Sequence, residues 1–546
     1  MAAPAASEVA VTTTRAWQRL VASCLCAVCM VLGSPDTSWW WLGLVGWVPW
    51  LYAIEGLTPK KAFWFGWLTG TITVFWGFIW LTQLLDKFAG FGVAPRLFIH
   101  LLFAAFQGLQ WAAPAALIVW LRRRTGRDVL LLAPLCWVAG EAVLPHVFPS
   151  YLALMWCYEP RWLQLAEIGG VTTIGLAQLS INAGLYVLLR DYFAVGSAGS
   201  AGAAGAGRRV INRAALATFL GWLIGTPLYG TIRMAQVDAI IADAPKVKVG
   251  VVQGNFGIYE WARGRAKYGI LARLQAESAR LEAEGAQLLL WGETGYPFSH
   301  ALPRRGGTDL PEGHPRKVRR HFTAPLIFGV VTSDPRVNPY AWNSAMVLHR
   351  DGHLGDPYDK VFPLYFGEYV PLVDPEWYRK MVPAASYINP GDKPGVLEVD
   401  GMKFGPLICY EDILPRFARD TAAGGIHAFV NLTNDSWFGK SKEQYQHMGL
   451  AVLRTIENRR ALLRSVNAGT SVYVDPNGRI LHQTEVTDPD IAEDGPLAAT
   501  GFVAEVPLID LDYLTPYTRT GELFNGIIVL LIAGLAIRGR GGRGRR

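Results

Sequence analysis

Charge is scarce in this chain: Asp, Glu, Lys and Arg make up 17% of its 546 residues, while hydrophobic residues make up 51%. Mean hydropathy is positive, at +0.21. So little charge excludes an ordinary soluble enzyme, and so much apolar content excludes a disordered chain. Cysteine is missing where a crosslink would need it. Cys24, Cys26, Cys29, Cys136 and Cys157 all lie in the apolar N-terminal part, and the polar stretch from Arg233 to Glu522 holds only Cys409. That stretch cannot form an internal disulfide. A Walker box, a dinucleotide fingerprint and paired Cys/His ligand spacing are also missing, which argues against nucleotides and metals and leads us to expect no cofactor. Tryptophan thins out along the chain, with 16 of 21 preceding Arg233. An aromatic-rich apolar half is thus joined to a more conventional one.

What is there fits a membrane. The net charge of +7 comes from basic clusters beside apolar runs rather than from one polar face, so topology explains it and nucleic acid does not. Apolar runs recur at Trp17–Leu32, Ser38–Ile54, Ala62–Leu85, Leu97–Leu121, Val129–Phe148, Leu163–Leu189, Ala214–Ile232 and Leu523–Ile537, which predicts about eight spans, some of them short. Leu20–Leu32 resembles a signal-peptide core and Val21-Ala22-Ser23-Cys24 mimics a lipidation box. A lipidation box must follow its apolar core, however, and here Arg19 precedes it, so we read an uncleaved first span. If the spans alternate, 17 basic residues fall on one side, against Lys87, Arg96 and Arg161 in the opposite short loops. The positive-inside rule then places both termini in the cytoplasm and the catalytic-sized stretch outside it. The expected organisation is a membrane domain over 1–232, with about seven helices and a flexible Gly/Ala/Ser linker at 194–208. An extracytoplasmic domain follows over 233–522, and a last helix with a basic tail over 523–546.

The outer stretch alternates strand-like and helix-like patterns. Val247–Gln253, Ala286–Trp291, Leu326–Thr332 and Ala428–Leu432 read as buried strands, and Arg265–Glu284 and Lys442–Arg464 as helices. Hairpin signals stand at Asp351-Gly352, Asp400-Gly401 and Asn477-Gly478. Together these predict an α+β or α/β sandwich with helix-covered sheets.

Three polar residues could carry chemistry, and two of them close apolar strands. Cys409 follows Phe404-Gly405-Pro406-Leu407-Ile408 and precedes Tyr410-Glu411-Asp412, where a strand gives way to a polar turn and could expose a nucleophile. A lone cysteine is more commonly a small buried hydrophobe. Glu293 ends Leu288-Leu289-Leu290-Trp291-Gly292, where burial would raise its pKa as a general base requires. Lys360 precedes Phe366-Gly367-Glu368-Tyr369-Val370-Pro371, and its ammonium would favour a thiolate or an oxyanion. Taken singly, the last two are ordinary strand-end charges, and spacing does not join them. The segment Pro363–Pro390 collects six aromatic residues without a helical period and reads as a loop that either admits acyl chains or packs on the domain. His100, Glu141, His146 and Glu167 in the apolar half read as interfacial or helix-packing residues rather than a transport path.

Jointly, these motifs resemble the Glu–Lys–Cys triad of the nitrilase superfamily. Their setting between seven apolar runs and an eighth resembles its membrane-embedded apolipoprotein N-acyltransferase family. Val251-Val252-Gln253-Gly254-Asn255 and Asn431-Leu432-Thr433-Asn434-Asp435-Ser436-Trp437-Phe438-Gly439 extend the likeness over essentially the whole chain. The family has Trp-Pro-Glu where this chain has Trp291-Gly292-Glu293, and commonly Val-Pro where it has Leu364-Tyr365. The resemblance implies an αββα sandwich, with Glu293 as base, Lys360 as oxyanion stabiliser and Cys409 as nucleophile. It implies supporting or substrate-binding roles for Glu368, Tyr410, Glu411, Trp261 and Trp437. The implied reaction moves an acyl chain from a phospholipid, through a cysteine thioester, to the α-amino group of a diacylglyceryl-cysteine at a lipoprotein N-terminus. The implied setting is a monomer in a bacterial inner membrane with its catalytic domain in the periplasm. Two other readings compete: a membrane-tethered nitrilase-like amidase that uses water as acceptor, and a transporter or lipid-binding protein with an inert outer domain.

Overall fold

The computed structural model describes residues 15–199, 211–370, 373–382, 385–491 and 495–541. Its N-terminal half is helical. Among the described residues, four helices are long and apolar enough to cross a membrane: Ala16–Gly33, Val93–Thr125, Thr172–Ala194 and Arg213–Asp243. Pro59–Gly77 and Leu81–Ala89 form a fifth such unit, broken by a 57° bend, and Trp40–Ile54, Val129–Val143 and Leu523–Arg538 are shorter apolar helices. Every predicted apolar run therefore falls on a helical element, but several boundaries move. The run from Leu163 is short helical turns until Thr172, where a long helix starts. That helix continues to Gly199, so the first residues of the expected linker 194–208 are helical, and the part from 200 onward lies outside the described residues. The helix beginning at Arg213 passes through residue 233 and stops only at Asp243, three residues before the first strand. Trp47 stacks on Trp111 at 4.4 Å and meets Trp137 edge-on at 4.5 Å, so part of the tryptophan excess packs the inside of this half.

The second half is a sandwich of two sheets. One runs in the order Thr500–Pro507, Lys246–Gln253, Leu288–Trp291, Leu326–Thr332, Trp342–Leu348, His353–Leu354 and Gly307–Thr308, with Tyr358–Asp359 also paired to Trp342–Leu348. The other runs Ile480–Gln483, Val472–Val474, Ala461–Val466, Ala428–Thr433, Met402–Ile408 and Leu397–Val399. Period-two alternation sorts the faces. Val247, Val249, Val251, Leu288 and Leu290 point into the core between the sheets. Val252, Leu289 and Trp291 point out beneath Ile270, Leu271 and Leu274 of the helix Ala266–Ala283. The predicted hairpins form, and at Asp400-Gly401 both residues have positive φ, 48° and 76°, as a tight two-residue turn requires.

One predicted element is wrong in a way that shapes the site. The helix expected over Lys442–Arg464 ends at Asn458, Arg459 turns left-handed (φ 50°), and Ala461–Val466 becomes a buried strand parallel to Ala428–Thr433. A continuous apolar run cannot by itself distinguish a buried helix turn from a buried strand. The remaining helix, Lys442–Asn458, is buried on nearly every side. Met448, Ala451 and Val452 pack on the sheet, while Leu450, Leu453 and Ile456 pack among the membrane-half helices. Burying each of these three is worth about 2 kcal/mol. Gly449 permits that approach, since a Cβ there would lie 2.6 Å from Cys157 Sγ. Arg459 with Glu167 (2.8 Å), Trp80 with Gln446 (2.9 Å) and Tyr158 with the Tyr445 carbonyl (2.6 Å) add polar links across the same contact. Glu167 is thus a structural ion-pair partner. His100 likewise serves packing, its Nε2 lying 2.8 Å from the Phe75 carbonyl.

Candidate active site

Glu293, Lys360 and Cys409 come from three different strand ends and meet above the sandwich core. Glu293 lies two residues past the strand Leu288–Trp291, in a turn held from below by Gly329, where a Cβ would meet the Gly292 carbonyl at 2.5 Å. The amide of Asn467 donates to the Glu293 carbonyl. The unusual Gly292 thus leaves the carboxylate at the strand end. Lys360 directly follows Tyr358–Asp359. Its Nζ lies 3.3 Å from Glu293 Oε1 and 2.7 Å from Glu368 Oε2. Cys409 opens the tight turn Cys409–Ile413 after the strand Met402–Ile408, with φ at +52°. A non-glycine residue in this region costs about 1–2 kcal/mol, and its neighbours hold it there.

Glu411 is the brace. Its Oε2 accepts from the Ile408 N–H (2.7 Å) and the Tyr358 hydroxyl (2.8 Å), and its Oε1 from the Val361 (2.6 Å) and Phe362 (3.2 Å) N–H groups. One buried side chain therefore ties the turn of Cys409 to the segment of Lys360. Burial pushes the Glu411 carboxyl up to about 7, against the pull of those donors. Asn343, which sequence reasoning missed, donates to both Glu293 Oε1 (2.7 Å) and Glu368 Oε1 (3.1 Å), keeping two carboxylates side by side. Its only sequence signal is its place in the strand Trp342–Leu348, at the point paired with Lys360.

Burial raises the Glu293 carboxyl, Lys360 pulls it back and Glu368 raises it again, for a net rise. Burial by itself would lower the Lys360 ammonium, but Glu368, Cys409 and Glu293 outweigh it and hold the pKa well above its ordinary value. The Cys409 thiol is pushed up to about 12, by burial and then Glu293, with Lys360 and His447 opposing. The resting group is a thiol beside an ammonium and a carboxyl of raised basicity. That arrangement suits a nucleophile deprotonated during attack rather than before it.

The other expected residues divide. Glu368 belongs to the cluster. Tyr410 faces the membrane half, its hydroxyl donating to the Val147 carbonyl at 2.9 Å and its ring 6.3 Å from that of Phe148. Trp261 lies on the outer helical layer under Lys267 (4.2 Å), and Trp437 packs against Phe88 of the bent helix (5.6 Å). Neither shows a contact with the three central residues. Within the expected aromatic loop, Pro375–Met381 is a short helix capped by Asp374, while Tyr365, Phe366 and Trp377 are more than half exposed. Residues 371, 372, 383 and 384 of that loop lie outside the described residues.

Sequence reasoning also missed a buried charged group behind the turn of Cys409: Asp412, Asp435, Glu443, His447 and Arg464. Asp435, Glu443 and His447 bring potential metal-ligand atoms within 4.8 Å of one another. Arg464 already pairs with Asp435 (2.8 Å) and with Asp412, so the chain's own cations fill this place.

Residues 248–491 match the carbon-nitrogen hydrolase family, and residues 26–184 match the apolipoprotein N-acyltransferase N-terminal domain. The two matches together support an apolipoprotein N-acyltransferase of the nitrilase superfamily. The chain is 29% identical to the apolipoprotein N-acyltransferase of Bdellovibrio bacteriovorus, over 90% of this chain and 88% of that one. The apolipoprotein N-acyltransferase of Gloeobacter violaceus is 28% identical over 97% and 96% of the two chains, and that of Pseudomonas putida 28% identical over 89% of each. These relatives align with both halves, so the helical part and the sandwich belong to one recurring architecture.

Proposed function

We propose that this membrane enzyme N-acylates lipoproteins by a two-step route through Cys409. Glu293 takes the Cys409 proton as sulfur attacks the ester carbonyl of a phospholipid. Lys360 and backbone N–H groups hold the oxyanion, at a benefit of several kcal/mol. Collapse breaks the ester bond, and protonated Glu293 returns its proton to the departing lysophospholipid. The α-amino group of a diacylglyceryl-cysteine then attacks the thioester and gives a proton to Glu293. The amide forms and the Cys409 thiol is restored.

The observation that carries this reading over a soluble amidase is the contact from Tyr410 to the Val147 carbonyl at 2.9 Å. The residue next to the nucleophile is docked on the apolar half, so acyl chains reach sulfur without leaving the bilayer surface. Exposed Tyr365, Phe366 and Trp377 supply an apolar rim. The enzyme acts as a monomer that crosses a bacterial inner membrane about eight times, with both termini cytoplasmic and the sandwich periplasmic, as the one-sided basic residues favour. Its domains are the membrane helices of 1–232, the last of which runs on to Asp243, the catalytic domain of 233–522 and the closing helix of 523–546. The residues that carry the reaction are Glu293, Lys360 and Cys409, supported by Glu368, Tyr410 and Glu411; Trp261 and Trp437 act from outside this cluster, one in the outer helical layer and the other against the bent helix.

The test is a product balance with purified enzyme, phospholipid and a diacylglyceryl-cysteine peptide. N-acyl peptide and lysophospholipid should appear in equal amounts. Free fatty acid in place of N-acyl peptide would establish water as the acceptor and overturn the reading.

A further inference from the structure

The buried charged group behind the nucleophile has no part in the steps above. Asp412 belongs to the same turn as Cys409, Asp435 to the turn after the neighbouring strand Ala428–Thr433, and Arg464 to the next strand, Ala461–Val466. His447 reaches in from the helix Lys442–Asn458. Its Nε2 lies 2.8 Å from Asp412 Oδ1, and its Nδ1 lies 3.3 Å from Asp435 Oδ1 and 3.4 Å from Glu443 Oε1. The Nδ1 sits between these two oxygens without an aligned hydrogen bond to either.

Carboxylate oxygens therefore face both ring nitrogens. A neutral imidazole carries one proton and one lone pair, and the lone pair would point at an anion whichever tautomer formed. Only the doubly protonated ring meets carboxylates on both sides. The charge count agrees. Asp412 and Asp435 are each fully buried, and Arg464 alone would leave one of them uncompensated. Glu443 is pushed up to about 7 by burial and then by Asp435, so it is the carboxyl that yields its charge. Burial and Arg464 act to deprotonate His447, and Asp412 with Asp435 outweigh them, leaving its pKa well above the ordinary histidine value. The same positive charge acts on the Cys409 thiol, opposing its rise.

We propose that His447, as an imidazolium that grips Asp412, is a positioning residue: it fixes the turn carrying Cys409 and favours the thiolate. This rests on Cys409 being the nucleophile but not on which lipid or amine reacts. The charged groups facing His447 are Asp412 from the Cys409 turn, Asp435 from the neighbouring turn, Glu443 from its own helix and Arg464 from the adjoining strand.

The test is the rate of Cys409 alkylation by iodoacetamide against pH, followed on the Cys409 peptide by mass spectrometry in the full-length protein in detergent. No lipid is needed, so failure here is distinct from failure of the acyl-transfer reading, which the product balance decides. In His447→Gln the profile should move up by about one pH unit, slowing alkylation about tenfold at neutral pH. Should that variant not fold, His447→Gln combined with Asp435→Asn removes one charge of each sign and leaves Arg464 paired with Asp412. The double variant should move upward too, but by less, because the Asp435 anion leaves with the imidazolium. His447→Lys, which keeps the charge, should recover at least part of the rate. An unchanged profile in a folded Gln variant, single or double, or a Lys variant no better than Gln, would overturn the proposal.

Discussion

Lys360 is held more closely by Glu368 than by Glu293, at 2.7 Å against 3.3 Å. The ammonium is thereby anchored to a carboxylate that also accepts the Leu364 N–H at 2.8 Å. Glu293 is left with a weaker grip on Lys360 and a raised pKa, while Lys360 and its other donors hold Glu368 below the ordinary value. Two carboxylates around one lysine thus differ in environment, and the difference supports the proposed roles of Glu293 as base and Glu368 as anchor.

Glu293→Gln keeps the shape of the base but cannot take a proton from sulfur. We expect acyl-enzyme formation to slow by about 100- to 10,000-fold, measured by single-turnover acylation in nanodiscs. Asp374→Asn, on the exposed loop helix, should stay near wild type. Equal rates for the two variants would remove Glu293 from the chemistry.

Lys360→Met deletes the donor proposed to meet the developing oxyanion, and the loss of one such donor costs about 100- to 1,000-fold in rate. Glu368→Gln should be milder and of a different kind. It releases Lys360 toward Glu293, lowers the basicity of Glu293 and so moves the acid limb of the pH–rate profile to lower pH. A Glu368→Gln profile that overlays wild type would contradict the anchoring role.

A thiol pushed up to about 12 stays protonated throughout the physiological range. Alkylation of Cys409 by iodoacetamide in wild type should therefore climb about tenfold per pH unit from pH 7 to 10. A plateau beginning below pH 8 would mean a resting thiolate instead.

The sequence made the strand-end positions of Glu293 and Cys409 readable, because each closes an apolar run and carries a polar group where a buried strand must end, whereas Lys360 was legible only through the Phe366–Pro371 motif that follows it. It also placed the hairpins, since Asp-Gly and Asn-Gly turns are local signals. Contacts made by tertiary packing were not readable. Asn343 lies on a strand that looks like any other buried strand, and its double hydrogen bond exists only because two distant strand ends converge there. His447 and Arg464 fell inside one predicted helix. Only the left-handed turn at Arg459 separates them and lets both face Asp412. Trp261 and Trp437 were singled out by motif, yet packing places them against Lys267 and Phe88.

Topology has its own test. A reporter fused after Gly205 should be cytoplasmic, and one inserted at the exposed turn of Gly313 should be periplasmic. Both reporters on one side would refute the crossing count.

The central claim is a thioester on Cys409. The direct measurement is mass spectrometry of the Cys409 peptide after purified protein meets phospholipid without any acceptor. The account predicts a mass gain of one acyl chain, released by neutral hydroxylamine and absent from Cys409→Ala. Transfer of acyl chains to the acceptor peptide by Cys409→Ala, or by wild type with Cys409 never acylated, would contradict it.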